Sequence, residues 1–301
     1  MTLVLSPQLQ ALEDESILIL REVVAEFRQP VMLYSAGKDS SVMLHLARKA
    51  FHPSRLPFPL LHIATGWDFR ALLDFRDHIV TQLDLELIVH CNDQARQAGV
   101  NPFDTSMGEY TRLMLTDALK KALETNGFDA AIGGARRDEE KSRAKERIFS
   151  HRIGNAWDPR RQRPEMWRIF NTRLASDETM RVFPLSNWTE LDVWSYIQAQ
   201  KIEIAPLYFA TEREIVSRNG SLIAVDDDRM RFRDGEQTVS RSSRFRTLGC
   251  WPLSAAVESH AADVDAVIVE LLTSRSSERS GRLIDAAAHA SMERKKREGY
   301  F

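Results

Sequence analysis

The hexapeptide Ser35-Ala36-Gly37-Lys38-Asp39-Ser40 stands between a short apolar run, Val31 to Tyr34, and apolar residues at helical spacing, Val42, Met43, Leu46, Ala47 and Ala50. A glycine-containing turn from strand to helix gathers unpaired backbone N–H groups at the positive end of the helix, which suits a phosphate chain. Gly37 lets the backbone come close, Lys38 adds a point charge, and the hydroxyls of Ser35, Ser40 and Ser41 can donate to phosphate oxygens. Asp39 cannot bind phosphate directly, so its expected role is to orient the loop or to help hold Mg²⁺ with the phosphates. The bland alternative is a turn whose Ser40 or Asp39 merely caps the helix. The pattern differs from the loop of kinases and GTPases. G-x-x-x-x-G-K-[ST] needs Ser or Thr after Gly37-Lys38 and a glycine where Met32 stands, and no G-x-G-x-x-G occurs.

A second candidate segment opens at Gly133-Gly134. From Arg136 to Arg168 it holds eleven Lys or Arg against six acids, although the whole chain is slightly negative. An anion would meet that excess beside a strand end. Guanidinium forks fit sulfate and phosphate oxygens, so Arg136 and Arg137, with Lys141 and Arg143, are candidates for an α phosphate and an attacking oxyanion. Lys145, Arg147 and the later arginines read better as one face of a solvated helix paired with Glu139, Glu140 and Glu146. Thr65-Gly66 follows another apolar run and should face the same place. Cys250 lies between apolar neighbours and reads as buried, Trp188, Trp194 and Trp251 as core, and His62 as a satisfied core or rim histidine.

These residues need elements to hold them. The periodicity predicts an opening helix over Leu12–Phe27, strands at 31–34, 60–63, 85–89 and 128–132, and helices over 69–83 and 110–123. A fifth strand is expected at 182–185, a helix capped by Thr189 with Asp192 in its first turn, and another helix around 264–272. Strands alternating with helices argue for an α/β fold, a Rossmann-like parallel sheet with helices on both faces and ligands at the strand C-termini. Residues 1–215 would form this nucleotide-binding domain. Residues 216–301 would be a C-terminal extension of short strands, a helix and a basic tail.

The 301 residues are 43% hydrophobic and carry 41 Lys+Arg against 43 Asp+Glu. The near-neutral balance gives no global pull toward nucleic acid or an anionic membrane. No early apolar run approaches the ~20 residues of a membrane span, so the cytoplasm is the expected location. Two cysteines, Cys91 and Cys250, with no CxxC pair, argue against structural zinc, an iron–sulfur cluster or a disulfide framework.

S-x-G-x-D-S resembles the pyrophosphate loop of the ATP pyrophosphatase group, whose members cleave ATP between its α and β phosphates. Pro30 to Phe51, Gly133 to Ile148, Arg181 to Trp194, Pro206-Leu207-Tyr208, Arg244 to Pro252 and the closing segment from Ser291 to Phe301 narrow the likeness. Together these blocks are similar to the small subunits of bacterial heterodimeric sulfate adenylyltransferases. The resemblance implies an adenine nucleotide α-hydrolase-like fold, ATP and sulfate as substrates with Mg²⁺, and adenylyl sulfate and pyrophosphate as products. It also implies a larger GTPase subunit as partner and a nucleotide site at Arg136, Arg137, Ser142 and Arg143. Ala64 and Asp68 stand where that family usually has aspartate and lysine, and 286–289 departs as well. These departures motivate a rival, a nucleotide-binding paralogue that regulates a partner without turnover. An adenylyl sulfate or phosphoadenylyl sulfate reductase on the same fold is a further rival, and Gly249-Cys250-Trp251 does not match the catalytic Glu-Cys-Gly such enzymes need.

Overall fold

Ser6 accepts a hydrogen bond from Leu9 N at 3.2 Å and Pro7 supplies a preset φ, so α1 (Pro7–Glu26) starts there. In the computed structural model, residues 4–140, 143–154, 156–167 and 169–273 are described. Along the chain, β1 (Pro30–Leu33), α2 (Lys38–Phe51), β2 (Leu60–Ile63), α3 (Arg70–Gln82) and β3 (Leu87–His90) give the expected alternation. A short α4 (Asp93–Gln97) precedes the segment expected as one helix. There α5 (Met107–Thr111) and α6 (Ala118–Asn126) are joined by a π-helical stretch, Arg112–Asp117. Gly127, at φ +68°, ends α6 in the left-handed conformation that a side chain would strain.

Strand β4 (Ala130–Ile132) then enters the sheet, followed by β5 (Phe149–Ile153) and β6 (Glu178–Val182). The order is β3-β2-β1-β4-β6-β5, parallel throughout except for β5, which runs antiparallel to β6. Chain order reverses between β1 and β4, paired at Val31 and Ala131, so the loops leaving these strands open a crevice at their C-terminal ends.

Two expectations are corrected. The strand expected at 182–185 is β6, which ends at Val182, and Phe183-Pro184-Leu185 leaves the sheet. The basic block is not a helix. It forms short 3₁₀ turns at Arg137–Glu139 and Arg143–Lys145 and then β5. The reason is burial: Arg152 and Glu146 are both buried and paired at 2.6 Å, and Arg181 is buried beside them. A solvated helix would leave such groups in water.

Thr189 and Asp192 close a reciprocal capping box on α7 (Glu190–Gln200). A second, antiparallel sheet follows, with β7 (Thr211–Arg218), β8 (Ser221–Ala224), β9 (Val239–Arg244) and β10 (Val257–Glu258) in the order β10-β9-β7-β8. Helix α8 (Val264–Thr273) completes the described chain, and the expected basic tail lies outside the described residues. One apolar core runs through both sheets, with Met32, Val42, Leu46 and Trp194 joined to Ile215, Phe245 and Trp251. No helix among the described residues is long and apolar enough to cross a membrane.

Candidate active site

The turn between β1 and α2 is held from several sides. Ser35 Oγ lies 3.3 Å from Ser40 Oγ, Ser40 Oγ donates to Gly37 O at 2.9 Å, and Lys38 N donates to Tyr208 Oη at 2.9 Å. The positive φ of the turn falls on Ala36, at 58°, while Gly37 sits at −75°. Gly37 is therefore needed for space: a Cβ there would come within 3.2 Å of Tyr208 Oη and 3.3 Å of Ser35 Oγ. Gly134 serves in the same way, since a Cβ would lie 3.2 Å from Asp39 Cβ. The loop after β4 can thus press against the first turn of α2.

Asp39 is where the two loops join. It accepts from Lys38 Nζ at 3.0 Å and from Arg136 Nε at 2.8 Å. Burial pushes the Asp39 carboxyl up, but the charges of Lys38 and Arg136 outweigh that and bring it down to about 2. Both cations are buried, with side chains 1% and 0% exposed, whereas Asp39 keeps 22%. Arg136 also faces Glu139 at 3.9 Å, and Arg143 Nε approaches the other Glu139 oxygen at 3.5 Å. A ladder of alternating charge therefore runs from the loop toward Arg143. A phosphate chain would meet cations already gathered and held.

Above this ladder lies a cleft of about 320 Å³. It brings together Ser35, Asp39, Ser40, Thr65, Gly133, Gly134 and Arg143 from the sequence-derived set. Gly37, Lys38 and Arg136 stand behind the wall. Ser41, one residue further round the helix than Ser40, opens instead into a separate cavity between α2 and α3. Arg137 turns away from the cleft, donating to Asn187 Oδ1 and to Glu146 O. Gly66 is outside the lining, and Lys141 and Ser142 lie outside the described residues.

Sequence reasoning missed much of the opposite wall. Asp68 accepts from both Thr65 N and Thr65 Oγ1 at 3.1 Å, so a carboxylate stands beside Thr65 although residue 64 is alanine. Leu248, Gly249, Cys250, Leu253 and Ser254 reach the cleft from the second half of the chain, along with Leu115 and Leu119. The block Arg244 to Pro252 marked this segment in the sequence, but only as part of a likeness. Cys250 accepts from Tyr110 Oη at 3.6 Å. Burial, joined by the charge of Asp68, pushes its thiol up to about 12, so it stays protonated near neutrality. His62, expected to be satisfied, is not: Nδ1 lies 2.9 Å from Tyr34 O, while Nε2 is buried without a partner. Among the described residues no group of three or more His, Cys, Asp or Glu is placed to hold a metal ion.

The family model for the phosphoadenosine phosphosulfate reductase domain matches residues 29–256. Sulfate adenylyltransferase subunit 2 from Azospirillum brasilense is 61% identical over 97% of this chain and 98% of its own length. The protein of the same description from a Bradyrhizobium species is 63% identical over 97% and 91%, and that from Mesorhizobium japonicum is 59% identical over the full length of both. Among solved structures, FMN adenylyltransferase from Candida glabrata in complex with ATP superposes with a TM-score of 0.50 at 16% identity, covering 91% of this chain and 87% of that one. That last likeness concerns the fold alone.

Proposed function

The chain belongs to the sulfate adenylyltransferase subunit 2 family within the phosphoadenosine phosphosulfate reductase domain family, and from that membership we propose how its cleft activates sulfate. It is a nucleotidyltransferase of sulfate assimilation, making adenylyl sulfate. ATP lies with its phosphates over Ser35, Ser40 and the Gly133-Gly134 turn and its base toward the apolar wall. What carries this reading is the junction at Asp39, where the strand-end loops of β1 and β4 bring Lys38 and Arg136 to one carboxylate.

A sulfate oxygen attacks the α phosphorus in line, the bond to the bridging oxygen of the β phosphate breaks, and pyrophosphate leaves. Sulfate is already an anion and needs no general base. Catalysis is then positioning and charge neutralisation by the loop N–H groups, Lys38, Arg136 and Arg143. Arg137 is a positioning residue, fixing the segment around Glu146 that carries Arg143. Asp39 is ionised and partly exposed at the phosphate loop, which suits one carboxylate ligand to a Mg²⁺ otherwise held by phosphate oxygens and water. Such an ion would offset the charge that builds on the leaving pyrophosphate.

The mixed phosphate–sulfate anhydride is higher in free energy than the ATP bond broken, so formation of the product must be driven. A larger partner subunit that hydrolyses GTP does this. The present chain has no G-x-x-x-x-G-K-[ST] loop of its own. The full chain, mixed with that subunit, ATP, Mg²⁺, sulfate, GTP and a pyrophosphatase, should form adenylyl sulfate in a sulfate- and partner-dependent way. Lys38→Ala should lower the rate by about 100-fold or more, the scale of removing one preorganised charge stabiliser. ATP binding with no product in the unmodified chain would favour the regulatory paralogue instead.

A further inference from the structure

Of the six tryptophans in the chain, Trp157, Trp188, Trp194 and Trp251 are buried and Trp67 is half-buried, whereas Trp167 is 84% exposed. Trp167 occupies the left-handed region at φ 52°, where a bulky side chain is strained. Its turn is closed by Ile169 N donating to Met166 O at 3.0 Å, and Met166 and Ile169 are themselves 55% and 67% exposed. The backbone beneath is firmly held. The Glu165 carboxylate accepts from Ile148 N at 3.0 Å and from Phe149 N at 2.7 Å, Gln162 bonds both the N–H and the carbonyl of His151, and the Phe170 ring lies 4.5 Å from that of Phe149. This strap closes the outer edge of β5 and holds three apolar side chains out in water. Neither the sheet nor the cleft uses them. An aromatic side chain kept exposed in a strained conformation on an anchored backbone marks a surface that another molecule covers.

The charge around the turn selects the occupant. Glu165 and Phe170 share a cavity of about 630 Å³ with the exposed Lys145 and Arg147, and Arg160 and Arg161 are exposed on the same strap. The acids of that cavity are engaged, Glu165 by the two N–H groups, Glu146 by Arg152 and Glu15 by Asn187. Asp158, exposed on the strap, accepts from Arg160 N. The apolar turn therefore carries a basic rim. We propose that Met166, Trp167 and Ile169 form the docking point for the larger subunit, which receives the Trp167 indole in an apolar pocket with an acidic margin. The inference rests on the reading that the chain works with such a subunit. A second copy of this chain fits less well, because a two-fold pairing on this face would set the basic rim against itself, whereas an acidic surface gains from the same charges. The position also suits a subunit that drives the reaction. Phe149 pairs with Val182 and Val182 with Ile132, so the turn stands at the end of the sheet where Gly133 enters the cleft. Glu165 faces Arg137 at 3.9 Å, the residue that fixes the segment carrying Arg143.

The test titrates the full chain with the purified larger subunit in a calorimeter, at low and at raised salt. Trp167→Ala should weaken the complex about tenfold or more, the loss expected of a central aromatic anchor. Trp167→Gly should weaken it as much, yet leave the melting temperature of the free chain unchanged or raised, because glycine relieves the positive φ. A residue that mattered only to the fold would lower that temperature. Arg160→Glu together with Arg161→Glu should weaken the complex and flatten its dependence on salt. Sulfate-dependent turnover of Trp167→Ala should fall when the larger subunit is limiting and return to that of the unmodified protein at saturation, since Trp167 touches no reacting atom. Unchanged association in both Trp167 variants would overturn the proposal. So would a dimer of the free chain, seen by sedimentation, or binding of a single-stranded oligonucleotide, that Trp167→Ala abolishes while the larger subunit binds as before. If the unmodified chain does not associate with the larger subunit at all, the reading on which the proposal rests is the one that fails.

Discussion

Asp39 is a carboxylate whose protonation would remove the counter-charge that two buried cations share. Its pKa is lowered to about 2 in the folded protein, against about 3.9 for an unperturbed aspartate. A depressed folded pKa means that the ionised form stabilises the fold, fully so above the unfolded value, and that this contribution fades as pH falls through about 2. Asp39→Asn should cost about 3 kcal/mol at neutral pH, because Lys38 and Arg136 lose their shared counter-charge in a buried site. The gap between the two proteins should then narrow as pH drops from 4 toward 2. Urea unfolding of both across that range checks the sign, and parallel curves would exclude the linkage. The residue types of this site were legible in the sequence, but their facing was not. Successive residues on a helix point ~100° apart, so Ser40 lines the cleft while its neighbour Ser41 opens on the other side of α2. Nor could the string reveal that Lys38 is held by Asp39 and backed by the Tyr208 ring at 5.9 Å, since Tyr208 lies far along the chain.

At the scale of elements, local pattern succeeds where an element's own residues decide it. The strands over 31–33, 60–63 and 130–132 show as apolar runs because both sheet faces are covered. The start of α7 is equally local, with Thr189 Oγ1 accepting from Asp192 N at 3.1 Å and the Asp192 carboxylate accepting from Thr189 N at 2.9 Å. Thr189→Ala should cost about 1 kcal/mol, a fall in melting temperature on the order of 2 to 4 °C, and Thr189→Ser should restore most of it. A calorimetric scan of the three proteins measures this, and an unchanged midpoint in the alanine variant would mean that tertiary packing alone sets the start of α7. Strand β5 failed the same local reading. Phe149-Ser150-His151-Arg152-Ile153 looks polar and half-exposed, yet His151 and Arg152 are buried against Glu178 and Glu146. The partners that permit this burial come from other elements, so no window of the sequence contains the answer.

The whole molecule depends on how the second sheet meets the first, and Arg229 is the clasp. Its guanidinium is fastened to Asp227 at 2.6 and 2.9 Å, donates through Nη1 to Gly66 O at 2.5 Å, and lies 5.0 Å over the Trp67 ring and 5.5 Å over Trp251. Trp67 and Trp251 stack with centroids 5.9 Å apart, and Trp251 N donates to Trp67 O at 2.7 Å. One side chain from the second half of the chain thus fixes the loop that carries Thr65 into the cleft. Hydrogen bonds from Arg229 and Arg70 hold the Asp227 carboxyl well below the usual carboxylate range. Removing Arg229 leaves Asp227 with Arg70, whose side chain is 64% exposed, as its remaining charge partner. Arg229→Ala should cost about 2 kcal/mol from the lost charged hydrogen bonds and ring contacts. The Thr65 loop should also loosen, raising KM for ATP several-fold with a smaller change in kcat, because no reacting atom touches Arg229. Arg229→Lys keeps the charge but not the planar fork, so it should fall between the two. Denaturation and ATP titration of the three proteins separate the effects. If stability falls while KM for ATP stays fixed, the clasp holds the two sheets together without shaping the cleft.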